Sequence, residues 1–290
     1  MCDETTVEES KEYLSGKLSR RRFGALTTGA AVAMLLPRAA NAATVIENEV
    51  TVATPDGMAD CYFVHPAQGK HAAVLVWPDI VGLRPAFRLM GKRLAESGYS
   101  VLVVNPYYRT QAAPVVGEGA SFQDEATRNI LMPLARSLSA QTNVTDAKAF
   151  IEFLDQQPSV DTARKIGTTG YCMGGPITVR TAAAVPSRVG AGASFHGGRL
   201  VTDTDDSPHL LIPQLKASFL FAVADNDDKN EPETKNVLRD SFAAANLHAE
   251  IEVYQGAMHG WCPPDSRVYH PEQAERAWAR MLHLFESALA

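Results

Sequence analysis

The strongest constraint on the fold of this chain is the alternation of short apolar runs with helical patterns along most of its length. The apolar runs are predicted to be buried strands: "HAAVLVWPD", "SVLVVNPYY", "KIGTTGY", "VGAGASFHGG", "ASFLFAVADND" and "AEIEVYQGAMHG". The helical patterns include "RPAFRLMGKRLAESGY", "TDAKAFIEFLDQQP", "MGGPITVRTAAAV" and "PEQAERAWARMLHLFESAL". Strands that are apolar on both faces and alternate with helices predict an α/β fold with a mostly parallel central sheet flanked by helices.

Two segments do not follow this alternation. Residues 44–64 contain two runs of alternating polarity around a Pro-Asp-Gly turn, which predicts an antiparallel hairpin at the edge of the sheet. Residues 110–142 are the longest irregular stretch, and we expect them to pass over the edge that carries the functional residues. A short helix is predicted there, near residues 123–139.

The first 42 residues carry the pattern of an export signal. Residues 19–23 read "SRRRF" and precede a short, weakly apolar segment that ends at Ala40-Asn41-Ala42, a small-x-small cleavage site. "SRRRF" resembles the twin-arginine signal, while a Sec signal or an uncleaved anchor are the alternatives. The sequence therefore predicts a signal peptide at 1–42 and a single domain at 43–290. It also predicts export by the twin-arginine machinery, a periplasmic or secreted location, and no stable membrane insertion.

Charge and cysteine usage exclude several classes of function. The formal net charge is −6 and no basic cluster lies outside the N-terminus, so nucleic-acid binding is not expected. Cys2 leaves with the predicted signal, and Cys61, Cys172 and Cys262 are an odd number at wide spacing, which does not fit a disulfide framework. The sequence has no C-x-x-C, no H-E-x-x-H and no Cys/His cluster. We therefore expect neither a redox site nor a zinc site, and no cofactor.

One cysteine lies in a motif with chemical meaning. Residues 170–174 read "GYCMG", a G-x-C-x-G pattern between a predicted strand and a predicted helix. This is the nucleophile elbow with cysteine in place of serine, where flanking glycines allow a tight, strained turn. The turn places the thiol at the N-terminus of a helix, whose dipole favours the thiolate. The alternative for Cys172 is a small core residue between glycines.

An elbow of this kind requires an acid and then a histidine further along the chain. Asp225 ends a predicted strand, with Asp227 and Asp228 as close rivals, and His259 follows the last predicted strand. His196 competes for the role of base, but it precedes the acid. The predicted triad is therefore Cys172, His259 and Asp225.

These motifs, together with two others, resemble those of a known family. The resemblance is to dienelactone hydrolases and covers nearly all of residues 50–288. It rests on five segments: "GYCMGG", "VADND", "GAMHGW", "WPDIVGL" and "NPYYR". The resemblance implies an α/β-hydrolase sheet and hydrolysis of carboxymethylenebutenolide or related esters. It places Asp79 where the family has an acid near the thiol, although a turn residue at the strand end is the alternative. It also implies that the backbone N–H groups of Ile80 and Met173 stabilise the oxyanion.

The resemblance is partial on the substrate side. Arg109, next to Tyr108, matches a family arginine for the substrate carboxylate, and a surface arginine is the alternative. The position of a second family arginine is Pro263, and Trp261 is expected to make the pocket wall more apolar. The resemblance implies a small-molecule lactone or activated ester as substrate, cleaved through a thioester acyl-enzyme. The alternatives are a broad carboxylesterase or thioesterase, or a non-catalytic exported binding protein on the same fold.

Overall fold

The computed structural model describes residues 4–17 and 42–290 of the 290-residue chain. The central feature is an eight-stranded sheet in the order β1-β2-β4-β3-β5-β6-β7-β8. Its strands are β1 (Val45–Thr54), β2 (Gly57–Pro66), β3 (Ala73–Trp77), β4 (Ser100–Val104), β5 (Ile166–Tyr171), β6 (Val189–Phe195), β7 (Ser218–Ala224) and β8 (Ala249–Tyr254). The pairs β1–β2 and β2–β4 are antiparallel, and every other pair is parallel. The mostly parallel sheet and the edge hairpin are as predicted.

Helices cover this sheet on both faces. The described helices are α1 (Glu4–Lys17), α2 (Pro85–Glu96), α3 (Glu125–Arg136), α4 (Ala140–Asp155), α5 (Gly174–Ala184), α6 (Asp225–Asn230), α7 (Thr234–Ala244) and α8 (Pro271–Ala288). A 3₁₀ helix spans Pro208–Gln214. The short helix expected near 123–139 is α3, whereas α4 begins earlier than predicted, because Ser139 and Thr142 form a capping box at its start. In the described ranges, no helix has the length and apolar character needed to cross a bilayer.

The core has two layers because successive strand residues point to opposite faces of the sheet. On one face, Val74 and Val76 of β3 pack in a cluster that includes Phe87 of α2 and Phe285 of α8. On the other face, the remaining side chains of β3 pack against α4, α5 and α7. This second cluster includes Leu75, Trp77, Phe150, Ile177 and Phe242. The fully apolar strands in the sequence therefore reflect burial on both sides.

The topology gathers the candidate residues at one edge of the sheet. The chain runs from β3 to β4 in one direction and then returns to β5 on the other side of β3. The carboxyl ends of β3 and β5 thus form a switch point, where α/β proteins bind ligands. Asp79 follows β3, Cys172 follows β5 and His196 follows β6, while the segments after β7 and β8 carry Asp227 and His259.

Candidate active site

Cys172 occupies a strained turn between β5 and α5. Its φ of 53° lies in the left-handed region. A Cβ at Gly170 would lie 2.1 Å from the main-chain oxygen of Gly174, and a Cβ at Gly174 would lie 2.3 Å from the main-chain oxygen of Trp77. Both distances are far below van der Waals contact, so the two positions require glycine. The structural reason predicted for the glycines of the motif is confirmed.

Two cavities have Cys172 and Ile80 in their walls. We call the smaller one the histidine-side cavity because His196 and His259 line it together with Asp79. It has a volume of about 110 Å³. The thiol of Cys172 is therefore accessible from a space that also contains both histidines.

The second cavity extends from Cys172 along α5. We call it the arginine-side cavity because Arg136, Arg180 and Arg199 line it. Its volume is about 350 Å³, which is enough for a small organic molecule. Its apolar lining consists mainly of Met132, Leu138, Met173, Pro176 and Ile177. The Cys172 thiol thus lies between a small polar space and a larger space with an apolar wall and cationic groups.

His259 is the histidine of the site that forms a hydrogen bond with a carboxylate. Its Nδ1 lies 2.7 Å from Oδ2 of Asp227, and its side chain is almost fully buried. Burial acts to lower the pKa of His259, but the charges of Asp227 and Cys172 outweigh this effect and raise the pKa to about 10. The ring therefore stays protonated through neutral pH while it lies between the carboxylate and the sulfur.

The structure corrects the predicted acid of the triad. Asp225 starts α6 and forms an ion pair with Lys229, one turn later in the same helix, at 2.9 Å. Asp227, a close rival of Asp225 in the sequence, faces His259 instead. The cause is the short helix after β7, which turns the chain so that the third of its residues, and not the first, points to the loop after β8. The carboxamide of Asn226 helps fix that loop, because its Oδ1 accepts a 2.8 Å hydrogen bond from the His259 N–H.

His196 is a second buried histidine beside the thiol. Its ring centroid lies 5.1 Å from that of His259, in an edge-to-face arrangement. Its ring interacts with the sulfur of Cys172, and neither ring nitrogen has an oxygen or nitrogen partner among the described residues. Burial lowers the pKa of His196, with the neighbouring Cys172 acting in the opposite direction, so the ring is neutral at physiological pH. His196 thus lacks the carboxylate that a base of the His259 type requires.

Asp79 lies in the wall of the histidine-side cavity, as the acid position of the resemblance implied. Its two carboxylate oxygens accept hydrogen bonds of 2.7 and 3.0 Å from Arg84. Arg84 in turn donates to Asp265 at 2.7 and 3.0 Å. Burial raises the pKa of Asp79, and Arg84 partly offsets this, while the charge of Cys172 raises the pKa further. The Arg84–Asp265 pair is a feature that no sequence motif indicated.

The two predicted oxyanion donors lie close to the thiol. Met173 directly precedes α5, so its N–H has no acceptor within that helix. The buried Tyr107 hydroxyl donates to the Ile80 carbonyl at 2.8 Å and lies 3.3 Å from the sulfur of Met173. Tyr107 therefore holds together the two segments that carry these N–H groups.

Three predicted substrate-binding residues lie elsewhere. Arg109 donates to both oxygens of Asp146, at 2.8 and 2.6 Å, and to Asp56 at 2.5 Å. The Tyr108 hydroxyl also contacts Asp146, at 2.8 Å. The wall of neither cavity includes Arg109, Tyr108 or Trp261. The structure therefore places these three residues away from both cavities, and Arg109 is already neutralised by two acids outside the motif.

Trp261 lies beneath the site and not in its wall. Its ring is fully buried, stacks on Tyr254 with centroids 5.4 Å apart, and contacts the edge of His196 at 5.0 Å. It therefore supports the position of His196 from below.

The other two described cysteines differ from Cys172 in their environment. Cys61 and Cys262 are free thiols in the core, and burial raises the pKa of both well above the usual thiol range. Neither has an imidazolium beside it, so both are chemically inert by comparison. Within the described part of the chain, no group of three or more His, Cys, Asp or Glu side chains could hold a metal ion.

Comparison with known proteins shows the family of this chain. The family model described as "Dienelactone hydrolase family" matches residues 59–289, most of the chain. The chain belongs to the dienelactone hydrolase family. A protein of Methylorubrum extorquens, provisionally named a carboxymethylenebutenolidase, is 30% identical over 280 residues, or 92% of each chain. The carboxymethylenebutenolidase of Rhodococcus opacus is 25% identical over 76% of this chain and 83% of its own.

Solved structures support the fold of this dienelactone hydrolase family member. A protein of Klebsiella pneumoniae, provisionally named a dienelactone hydrolase, superimposes with a TM-score of 0.72 at 24% identity. The match covers 84% of this chain and 99% of the other. The fold is therefore the α/β-hydrolase fold, and family membership makes the chain a hydrolase of carboxylic ester bonds.

The helix α1 lies within the stretch predicted to be a signal peptide. Its side chains line the histidine-side cavity at three positions: Thr6, Val7 and Ser10. The carboxylate of Glu9 accepts hydrogen bonds of 2.6 Å from Asn226 and 2.8 Å from Asn230. Because Asn226 also binds the His259 backbone, α1 contacts the segment that positions the histidine. The "SRRRF" motif and the predicted cleavage site fall outside or at the border of the described residues, so the signal peptide stays a prediction.

The first prediction separates the two aspartates. In Asp227→Asn, burial of His259 is opposed only by Cys172 and no longer by the carboxylate, so the pKa of His259 falls. We expect ester hydrolysis to drop by about 10²- to 10⁴-fold and iodoacetamide labelling of Cys172 to slow. Asp225→Asn, which removes only the ion pair with the exposed Lys229, should stay within about twofold of the wild type. The reverse ranking of the two variants would reject Asp227 as the partner of His259.

The second prediction concerns α1. A chain that begins at Ala43 lacks the three side chains in the wall of the histidine-side cavity, so a bulky maleimide should label Cys172 several-fold faster than in the full chain. Glu9→Ala in the full chain, which removes both asparagine contacts, should give an intermediate rate. Labelling is followed by mass spectrometry of the Cys172 peptide. Equal rates for all three proteins would show that α1 does not restrict the cavity.

Proposed function

We propose that this chain hydrolyses lactones and activated esters with Cys172 as nucleophile, His259 as acid and base, and Asp227 as the carboxylate that orients His259. The observation that carries the proposal is the Asp227–His259 hydrogen bond next to a cysteine in a strained elbow between two cavities. Nucleophile, base and orienting acid are the three roles that covalent acyl transfer requires. The inert environments of Cys61 and Cys262 support the same choice of thiol.

The first half of the proposed cycle forms a thioester. The Cys172 thiolate attacks the carbonyl carbon, a C–S bond forms, and the carbonyl π electrons move to the oxygen. The N–H groups of Ile80 and Met173 are the proposed donors to this oxyanion. Loss of one such donor typically costs about 3 kcal/mol of transition-state stabilisation. The C–O bond then breaks, and the leaving oxygen takes the proton from His259.

The second half of the cycle releases the acid. Neutral His259 removes a proton from water, and the resulting hydroxide attacks the thioester carbon. The C–S bond breaks, the thiolate of Cys172 is regenerated beside protonated His259, and the carboxylic acid leaves. Asp79, which shares the cavity wall with the thiol, is the proposed acid that modulates the thiol between cycles.

The nucleophile restricts the substrate. A thiolate leaves a tetrahedral intermediate more easily than an alkoxide or an amide nitrogen does, so a poor leaving group causes the intermediate to return to substrate. Enol lactones and aryl esters have leaving groups stable enough to compete. We therefore propose these classes as substrates and exclude peptides. The name of the Rhodococcus opacus relative makes carboxymethylenebutenolide the first lactone to test.

A second candidate is a broad esterase for acyclic esters or thioesters. It is favoured by the position of Arg109, which lies outside both cavities and so is not placed to select the carboxylate of a dienelactone. Initial rates on the dienelactone, a 4-nitrophenyl ester and an acyl thioester separate the two. A kcat/KM for the dienelactone below that for both acyclic substrates would favour the second candidate.

The nucleophile is tested through the covalent intermediate. Cys172→Ala should lower hydrolysis by at least about 10³-fold without change in the circular dichroism spectrum. Rapid quenching of the wild type with a 4-nitrophenyl ester should reveal the acyl mass on the Cys172 peptide. Cys61→Ala and Cys262→Ala serve as matched controls and should keep most of the activity. Normal turnover by Cys172→Ala, or an acyl group on another cysteine, would reject the mechanism.

We also propose that residues 1–42 direct export by the twin-arginine route, which carries folded chains and so delivers Cys172 already enclosed in its elbow. Replacement of Arg20 and Arg21 by lysine should leave the precursor in the cytoplasm. The measurement is fractionation of cells that express the full chain, with an antibody against the domain. Unchanged export of the double variant would reject the twin-arginine interpretation.

A further inference from the structure

Arg180 lies in the wall of the arginine-side cavity without the partners that other buried arginines of this chain have. Its side chain is 12% exposed, and Nη2 donates to the Asp206 carbonyl at 3.0 Å. The Asp206 carboxylate is 3.8 Å away and belongs to a side chain that is 60% exposed. The buried Nε of Arg180 has no hydrogen-bond partner in residues 4–17 and 42–290.

Two other arginines of the chain, unlike Arg180, are closely paired with carboxylates. Arg109 binds two acids, and Arg84 binds both oxygens of Asp79 and both of Asp265. A buried guanidinium normally requires such pairing, because desolvation of its charge is costly. Arg180 lines the cavity, and its nearest carboxylate is the exposed Asp206 at 3.8 Å, so its guanidinium lacks the close carboxylate pairing that Arg109 and Arg84 have.

The charge around this position is positive. The charged side chains in the wall of the arginine-side cavity, as far as the chain is described, are Arg136, Arg180, Arg199 and Asp206. Arg199 is exposed, has a left-handed φ of 58°, and lies close enough to lower the pKa of Arg180, for which burial is the larger cause. Two like charges held together in this way favour an anion between them.

The position of His259 determines which part of the substrate enters this cavity. The leaving oxygen has to receive a proton from His259, which lines the histidine-side cavity and not the arginine-side one. The leaving group therefore occupies the histidine side. The acyl group extends in the other direction, past Met173 and along α5 towards Arg180.

We propose that the arginine-side cavity binds the acyl part of the substrate and that Arg180, with Arg199, binds a second carboxylate at the far end of that acyl part. The preferred substrates are then half-esters or lactones whose acyl portion ends in a carboxylate. This inference rests on the proposed function of Cys172. It differs from the expectation that Arg109 binds the substrate carboxylate. Here the carboxylate belongs to the acyl part of the substrate, and it binds in a different part of the fold.

The dimensions fit an acyl chain of moderate length. Arg180 follows Gly174, the first residue of α5, by six residues, a rise of about 9 Å along the helix. Helical side chains lean towards the N-terminus, which brings the guanidinium back towards the thiol. A six- to eight-carbon diacid bridges such a separation, and the apolar wall formed by Pro176 and Ile177 accommodates its methylene groups.

The test compares two esters that differ in one charge. Mono-4-nitrophenyl adipate carries the free carboxylate, and methyl 4-nitrophenyl adipate has the same chain without the charge. We expect the wild type to prefer the anionic ester in kcat/KM by about tenfold to a hundredfold, the scale of a charge-assisted hydrogen bond. Arg180→Gln should remove this preference, mainly by raising KM, and should leave the neutral ester within a few-fold.

Two controls keep the result interpretable. Arg239→Gln removes a positive charge that lies in the wall of neither cavity and should leave the preference unchanged. The second control uses only the wild type, so it does not depend on the folding of any variant. Adipate should inhibit hydrolysis of the neutral ester competitively and more strongly than hexanoate does.

The outcomes distinguish this inference from the proposed function. Equal kcat/KM for both esters in the wild type, with no advantage of adipate over hexanoate, would overturn the anionic site while Cys172 hydrolysis stands. Loss of the preference in Arg239→Gln would assign it to net charge and not to the cavity. Absence of turnover of either ester would overturn the proposed function, and the inference with it.

Discussion

The left-handed turn at Cys172 is the constraint on which the remaining site depends. A non-glycine residue with φ of 53° is strained by about 1–2 kcal/mol, and the surrounding structure has to hold it there. The neighbouring strands β3 and β6 do so by fixing β5 on both sides, and glycines at 170 and 174 remove the Cβ atoms that would collide. Because the turn lies between these strands, the loops after β3 and β6 bring Asp79 and His196 to the thiol.

The electrostatic arrangement follows from this placement. His259 is buried, which alone would favour its neutral form, yet the charges of Asp227 and Cys172 raise its pKa to about 10. Because this value is above the unfolded pKa near 6.5, protonated His259 stabilises the folded state. This stabilisation is fully present below pH 6.5 and is lost as the pH rises through about 10. Burial without an adjacent imidazolium raises the pKa of Cys61 and Cys262 and leaves them as neutral thiols.

Much of the fold could be predicted from the sequence because its strands and helices have clear periods and glycine or proline boundaries. Cys172 and His259 could also be found, since each lies in a short motif next to a strand end. The choice of Asp225 over Asp227 depended on how a six-residue helix turns after β7, and no local pattern determines that. Arg109 matched a local motif, but its neutralising partner Asp146 lies in α4, 37 residues away. No sequence pattern indicates the environment of Arg180, because a helical run does not show which of its arginines has a close carboxylate partner.

Arginine pairing therefore separates structural from ligand-binding roles in this protein better than position in a motif does. The guanidinium of Arg109 is fully engaged by Asp56 and Asp146, so a substrate carboxylate would have to displace an acid that is itself almost completely buried. That exchange would leave the charge of Asp146 unpaired, at a cost of several kcal/mol. Arg180 requires no such exchange, because its strongest contact is to a main-chain carbonyl and its nearest carboxylate lies in solvent. An incoming anion would there supply the close carboxylate partner that a buried guanidinium normally has.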